Sequence, residues 1–268
     1  MRKKNRRLIW RVSILFTLLC FFTIRPVLAG DSGLLWLINP DNPLEASYRP
    51  EQLTNIGGYP IRPEVGSAFL KMLNDMKADG VKGLRLQSAY RPYLYQQALF
   101  EEKAAFWRSA GHEEKVARTL AARSVAMPGA SEHQTGLAID VSVNNQLSVH
   151  FGDTEAGIWL LNNCTRYGFI LRYPKEKTAI TRIIYEPWHL RYVGIPHAAY
   201  MQEHNLCLEE YIDHLKNFRT LLYWQDHQSY YKITYTQGLP PTQKHQNISS
   251  LSPKNSAYII TELKEFLR

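Results

Sequence analysis

The chain has 268 residues, of which 45% are hydrophobic, 21% charged and 12% aromatic. That is a globular composition; it excludes an intrinsically disordered protein and leaves room for one catalytic domain with additions. The net charge of +8 would suit a nucleic-acid binder, but seven basic residues (Arg2, Lys3, Lys4, Arg6, Arg7, Arg11 and Arg25) precede residue 30, and no acidic residue appears before Asp31. Without them the remainder stands near neutrality, so no nucleic-acid partner is expected.

Residues 1–29 read as a leader. Met1 to Arg11 is charged, and Val12 to Ile24 is an apolar run of 13 residues, short of the about 20 that span a bilayer comfortably. Val27-Leu28-Ala29 offers small residues for signal cleavage before Gly30. Retention as an anchor over Leu8 to Leu28, with Arg11 and Arg25 reaching the two interfaces, is the other reading. Both place the bulk of the chain outside the cytoplasm, either secreted or held to the membrane by its N-terminus. Cys20 follows Leu19, which is too large for a typical lipoprotein site. Cys164 and Cys207 fit a disulfide or, more commonly, free buried thiols, and no chemistry is assigned to them.

Residues 30–62, rich in Asn, Pro and Gly, predict an extended arm. From Pro63, Val65, Phe69, Leu70, Leu73 and Met76 recur at helical spacing until Gly80. Leu84 to Tyr90 alternates as a strand. A helix over about Tyr93 to Trp107 shows Tyr95, Leu99 and Phe106 on its apolar side, and another covers about Glu113 to Ser124. Ala138 to Ser142 predicts a strand. A helix through Trp159 and Cys164 ends at Gly168 as its C-cap. Phe169 to Arg172, Ile183 to Tyr185 and His189 to Val193 predict short strands, and His197 to His214 a helix. The catalytic domain is expected over 63–215. Residues 216–268, with strands at Tyr230 to Tyr235 and Ala257 to Thr261, are expected to form a small C-terminal β addition.

Two stretches carry chemistry. A catalytic zinc takes three ligands from His, Asp, Glu or Cys and keeps a fourth position for water. In Ser131-Glu132-His133-Gln134-Thr135-Gly136-Leu137-Ala138-Ile139-Asp140, a loop His and a strand Asp can converge on one ion because Gly136 lets the backbone turn closely between them. Among the nine histidines, His189 stands out in Glu186-Pro187-Trp188-His189: Glu186 is placed to reach the attacking water without binding the metal, and Trp188 makes a wall that lowers the local dielectric. On the residues alone, Arg91 before Pro92 suits a turn or an ion pair. Ser131 also suits a loop cap, and Gln96 a solvated helix position.

Ser131-x-His133-x-x-Gly136-x-Ala138-x-Asp140 followed by Glu186-x-x-His189 resembles the signature of the zinc D-alanyl-D-alanine carboxypeptidases typified by the VanY enzymes. Ser88-Ala89-Tyr90-Arg91-Pro92 with Gln96, Tyr167-Gly168-Phe169 with Arg172-Tyr173-Pro174, and Glu186 through Gly194 agree with it over about residues 50–215. The resemblance implies an α+β fold, a small, mostly antiparallel sheet with flanking helices around a zinc site, as in hedgehog and D,D-peptidase domains. It implies one Zn²⁺ held by His133, Asp140 and His189, with Glu186 as acid and base. Arg91 serves the oxyanion or the substrate carboxylate, and Gln96 and Ser131 contact substrate. The implied substrate is a peptidoglycan precursor ending in D-Ala-D-Ala, with D-lactate termini left open and no obligate protein partner. Competing readings on the same scaffold are a D,D-dipeptidase, an L,D-carboxypeptidase, a cell-wall endopeptidase and a non-catalytic zinc-dependent cell-wall binder.

Overall fold

The computed structural model describes residues 32–238, 247–254 and 256–265. The leader expected over 1–29 lies outside them. No helix among the described residues is long and apolar enough to cross a membrane.

In chain order the elements are β1 (Thr54–Ile56), β2 (Tyr59–Ile61), α1 (Pro63–Ala78), β3 (Arg85–Ser88), α2 (Tyr93–Ser109), α3 (Glu114–Ala121), β4 (Ala138–Ser142), α4 (Glu155–Asn163), β5 (Phe169–Leu171), α5 (Thr178–Thr181), β6 (His189–Tyr192), α6 (Ile195–Glu203), α7 (Leu208–Phe218), β7 (Thr220–Trp224), β8 (Ser229–Gln237), β9 (Ile248–Ser250) and β10 (Ala257–Glu265). They build the expected α+β architecture. One antiparallel sheet has the order β3-β4-β6-β5, a second has β7-β8-β10-β9, and β1 and β2 form a hairpin. β4 is central and buried at every position. Its residues can therefore present functional groups in a dry setting.

α1 starts where the sequence says it should, with Pro63 at its first turn, whose missing N–H costs nothing there. Its buried stripe is Val65, Phe69, Met72 and Met76, with Leu70 left outside. These residues pack under β4 with Leu137, Ile139 and Val141 in the first core. On α4, the turn that follows ends at Gly168, whose φ of 83° is left-handed. A Cβ there would meet the Tyr192 ring at 2.8 Å, so the C-cap glycine also lets β6 approach.

Several expectations change. The helix expected over His197 to His214 is two helices, broken at Asn205, whose φ is 50°. The second starts with a capping box, in which the Glu210 carboxylate accepts the Cys207 N–H at 2.9 Å. Ile183 to Tyr185 is not a strand: β5 pairs only with β6, and the Ile184 N–H instead donates to the Arg123 carbonyl at 2.9 Å. On α2 the buried stripe is Gln96, Phe100 and Ala104, not Tyr95, Leu99 and Phe106. The arm contains the β1–β2 hairpin around Gly57-Gly58, and Leu35, Trp36, Ile38 and Leu44 are buried. The C-terminal sheet has four strands where two were expected. Cys164 and Cys207 are buried and free.

A second core joins α6, α7 and the C-terminal sheet through Tyr211, Ile212, Leu215, Leu221, Ile233 and Ile259, and Leu35 of the arm belongs to it. The expected boundary between 215 and 216 falls within α7, whose inner face is part of this core. The arm ties both sheets together. Its Ser32 N–H donates to the Ile248 carbonyl at 2.8 Å and its Leu37 N–H to the Leu251 carbonyl at 3.0 Å.

His197 sits in this second layer, fully buried, with Nδ1 2.8 Å from the Tyr211 hydroxyl and Nε2 3.1 Å from Thr261 Oγ1. Burial pulls its pKa down to about 3. The unfolded chain binds a proton at about pH 6.5 that the folded chain refuses, so this contribution is complete above that pH. It falls by about 1.4 kcal/mol per pH unit as the pH drops toward about 3. Urea midpoints measured from pH 7 to pH 4 should show that acid limb, and it should flatten in His197→Gln. An equally steep limb in the variant would assign the loss to other groups.

Candidate metal centre

Strand register creates the centre. In the antiparallel β4–β6 pair, Asp140 stands directly opposite His189, so the two side chains project from one face a short cross-strand distance apart. His133 arrives from the preceding 3-10 turn, Glu132–Thr135, which closes at Gly136 with φ 70°. A Cβ at Gly136 would press Arg62 Cγ at 3.1 Å. The glycine expected to allow a close turn does so.

Two backbone contacts fix His133 from the other side. Its Nδ1 lies 2.6 Å from the Ala89 carbonyl oxygen, and the Arg91 N–H donates to the His133 carbonyl at 3.1 Å. A carbonyl only accepts, so Nδ1 carries the proton and Nε2 presents its lone pair. That Nε2 is buried without a hydrogen-bond partner and lies 3.2 Å from Asp140 Oδ2. On the other oxygen, Oδ1, His189 Nδ1 stands at 2.9 Å. The donor atoms of His133, Asp140 and His189 all fall within 4.8 Å of one another, the one such group among the described residues. Donors around a tetrahedral zinc with bonds of about 2.0–2.2 Å lie about 3.3–3.6 Å apart. The N, O, N set and its spacing fit one zinc ion.

The turn Glu186-Pro187-Trp188-His189 places Glu186 beside the ligands. The His189 N–H donates to the Glu186 carbonyl at 3.1 Å, and the Glu186 carboxylate lies 3.9 Å from His189 Nδ1. Arg91 Nη1 is 3.5 Å from Asp140 Oδ2. Burial first, and then Arg91, lower the His133 pKa to about 4 and keep the ring neutral. Burial works against the charge of Asp140, and the His133 and His189 rings, when protonated toward it, overcome it, holding its carboxyl well below the usual range. Glu186 goes the other way: burial and the nearby Asp140 push it well above the usual range, with Arg91 opposing. Two carboxyl groups driven apart in this way are equipped for different roles.

These groups lie in a cleft of about 580 Å³ whose lining includes Arg91, Ser131, Tyr173, Glu186, Trp188 and, further out, Phe106 of α2. Ser131 makes no side-chain cap, so the loop-cap reading does not hold and its hydroxyl is left to the cleft. Gln96 is not among the lining residues. Its amide donates to the Ala126 carbonyl at 2.7 Å, so it supports a wall residue from behind.

Three residues that pack against this centre stand in the matching motifs, but the sequence assigns them no role there. Tyr173 lies across His189, ring centroids 4.9 Å apart. Arg172 and Arg191 are fully buried around Glu132. Arg191 lies two residues after His189 on β6, and so on the same face; a charged side chain at that position was the available signal. Burial opposes the Glu132 charge, and Arg172 and Arg191 overcome it.

A small antiparallel sheet carrying a His-Asp-His group that can hold a metal, with a carboxyl group beside it in a cleft, has the form of a zinc-peptidase site. A profile of the VanY D-alanyl-D-alanine carboxypeptidases matches residues 59–195, and the chain belongs to that family. The D-alanyl-D-alanine carboxypeptidase of Enterococcus faecalis (strain ATCC 700802 / V583) is 40% identical over 181 residues, which cover 67% of this chain and 65% of that protein. The chain thus spans just under two thirds of that relative. A mutant of the vancomycin resistance D,D-pentapeptidase VanY from a VanB-type cassette, solved in complex with Zn(II), is 39% identical with a TM-score of 0.60 over 66% of this chain and 98% of that one. The LD-carboxypeptidase LdcB is 38% identical with a TM-score of 0.60 over 67% and 86%.

Removing a ligand should cost more than removing a partner behind a ligand, which typically costs about 10–100-fold in metal affinity. Asp140→Ala and His189→Ala should each weaken zinc by more than about 100-fold in a chelator competition. Near-native affinity in either would remove that residue from the centre.

Proposed function

We propose that this protein is a zinc D,D-carboxypeptidase that removes the terminal D-alanine from peptidoglycan stem peptides. The observation that carries the proposal is the convergence of His133 Nε2, Asp140 and His189 Nδ1 beside the Glu186 carboxyl at the base of an open cleft. Zinc bound there supplies an acidified water and positive charge for the scissile carbonyl.

The chain's own residues do the rest. Glu186 takes a proton from the attacking water and returns it to the departing D-alanine nitrogen; its raised pKa suits both halves of that cycle. Arg91, next to the ligand Asp140, places its guanidinium against the developing oxyanion. Ser131 turns a buried hydroxyl to the substrate, Gln96 holds Ala126 in the wall, and Tyr173 and Trp188 keep water away from the reacting atoms. The chain acts outside the cytoplasm, secreted or held by residues 1–29; the charged and apolar pattern of those residues supports this. Trimming the stem there removes the D-Ala-D-Ala ends that glycopeptide antibiotics need.

Mass spectrometry of products from a D-Ala-terminated pentapeptide should show free D-alanine, blocked by chelator and restored by zinc. A tetrapeptide, free D-Ala-D-Ala, a D-Lac-terminated stem and cross-linked wall in the same assay separate the competing specificities. Release from the tetrapeptide alone would make the enzyme an L,D-carboxypeptidase. No release from any of them by the zinc-loaded protein would favour a binder.

Glu186→Ala should retain zinc and lose turnover; wild-type turnover would refute its role as base. Arg91→Ala should lower kcat by about 10²–10³ with little change in KM. A rise in KM at constant kcat would move Arg91 to the substrate carboxylate.

A further inference from the structure

Behind the metal centre lies a buried ionic cluster that the proposed reaction does not use. Glu132, next to His133, is fully buried. Its Oε1 is occupied twice: Arg172 Nε donates to it at 2.8 Å, and Arg191 Nη1 forms an ion pair with it, also at 2.8 Å. Neither guanidinium is free to release it. Arg172 is also bound by both oxygens of Glu209, at 2.9 and 2.7 Å, and Arg191 donates to the carbonyls of Leu34 and Trp36, each at 3.0 Å. The carboxylate is therefore held in one orientation.

Its other oxygen, Oε2, is buried with no hydrogen-bond partner, and so is Nε2 of His189. Unpaired buried polar atoms are rare and costly. These two lie 4.0 Å apart, about 1 Å beyond a direct hydrogen bond, a gap that a small tilt of the ring closes. If Glu132 only neutralised two arginines, nothing would require its second oxygen to stand opposite a ligand imidazole.

We propose that Glu132 is a positioning residue for His189: its free Oε2 accepts the Nε2–H, which fixes the tautomer and turns the Nδ1 lone pair toward the metal. A carboxylate behind a ligand histidine raises its basicity and sets its orientation. Arg172 and Arg191 then act through Glu132, by pinning Oε1 so that Oε2 has one place to point. The inference rests on His189 being a ligand through Nδ1.

Glu132→Gln is diagnostic because an amide has one acceptor and one donor end. The two guanidiniums claim its oxygen, and its NH2 then faces His189 Nε2, donor against donor, favouring the tautomer with the proton on the wrong nitrogen. Glu209→Gln is the control: it disturbs the same Arg172 but does not face His189. The readouts are the zinc affinity of the full chain, by chelator competition, and the absorption spectrum of the Co²⁺-substituted protein. Glu132→Gln should weaken zinc about 10–100-fold and alter the cobalt spectrum, while Glu209→Gln should stay within about threefold of wild type. Equal affinities for Glu132→Gln and wild type, or equal losses in the two variants, would overturn the proposal. Should Glu132→Gln not fold, Glu132→Asp keeps the charge for the arginines but withdraws the oxygen from His189, and is judged against Glu209→Gln by the same criteria. D-alanine release is scored separately: its absence in a zinc-loaded wild type counts against the proposed reaction and leaves the affinity comparison standing.

Discussion

Asp140 opposite His189 on two antiparallel strands is the constraint from which the rest of the site follows. Side chains alternate faces with a period of two, so a slip of one residue would send one of the pair to the far side of the sheet. Register is secured by burial. β4 is covered on both faces, with Ile139 and Val141 in the core with α1, and a slipped strand would trade these for Asp140. The same packing that makes β4 stable holds two of the donors in place before any metal arrives.

The third donor and Glu186 depend on short local devices added to that frame. Gly136 ends the turn that delivers His133, and the turn at Pro187-Trp188 sets Glu186 beside His189. Both bring polar groups into a dry interior, where an unpaired charge is expensive. The structure answers with partners. The Ala89 carbonyl accepts the Nδ1–H of His133, Asp140 lies between two imidazoles, and Glu132 is matched by Arg172 and Arg191. Arg191 further extends the cluster to the arm at Leu34 and Trp36. The arm also clasps β9, so the second sheet and the metal centre are parts of one packing arrangement.

Much of the centre was legible because its residues sit in two short motifs whose spacing has local meaning. His133, Asp140 and His189 come together in one group, with Glu186 and Arg91 beside them. What the sequence hid was long-range or depended on which face a residue turns. Gln96 has the same 3.6-residue relation to Phe100 and Ala104 as any core residue, but a polar side chain hides a buried stripe, so α2 was rotated in the reading. The break at Asn205 was visible only as one residue able to adopt a left-handed turn. β7 and β9 exist through pairing with distant strands. Arg172 and Arg191 look like surface charges until the fold puts Glu132 between them, a pairing across 40 residues in the first case that no local pattern encodes.

The central claim is that one zinc ion sits between His133 Nε2, Asp140 and His189 Nδ1. Anomalous diffraction from zinc-loaded crystals, recorded on both sides of the zinc absorption edge, tests it most directly. The account predicts a single strong peak within bonding distance of those three residues, with Glu186 alongside but not coordinated. A peak bonded to Glu186 or to His189 Nε2, or a zinc held elsewhere in the chain, would contradict it.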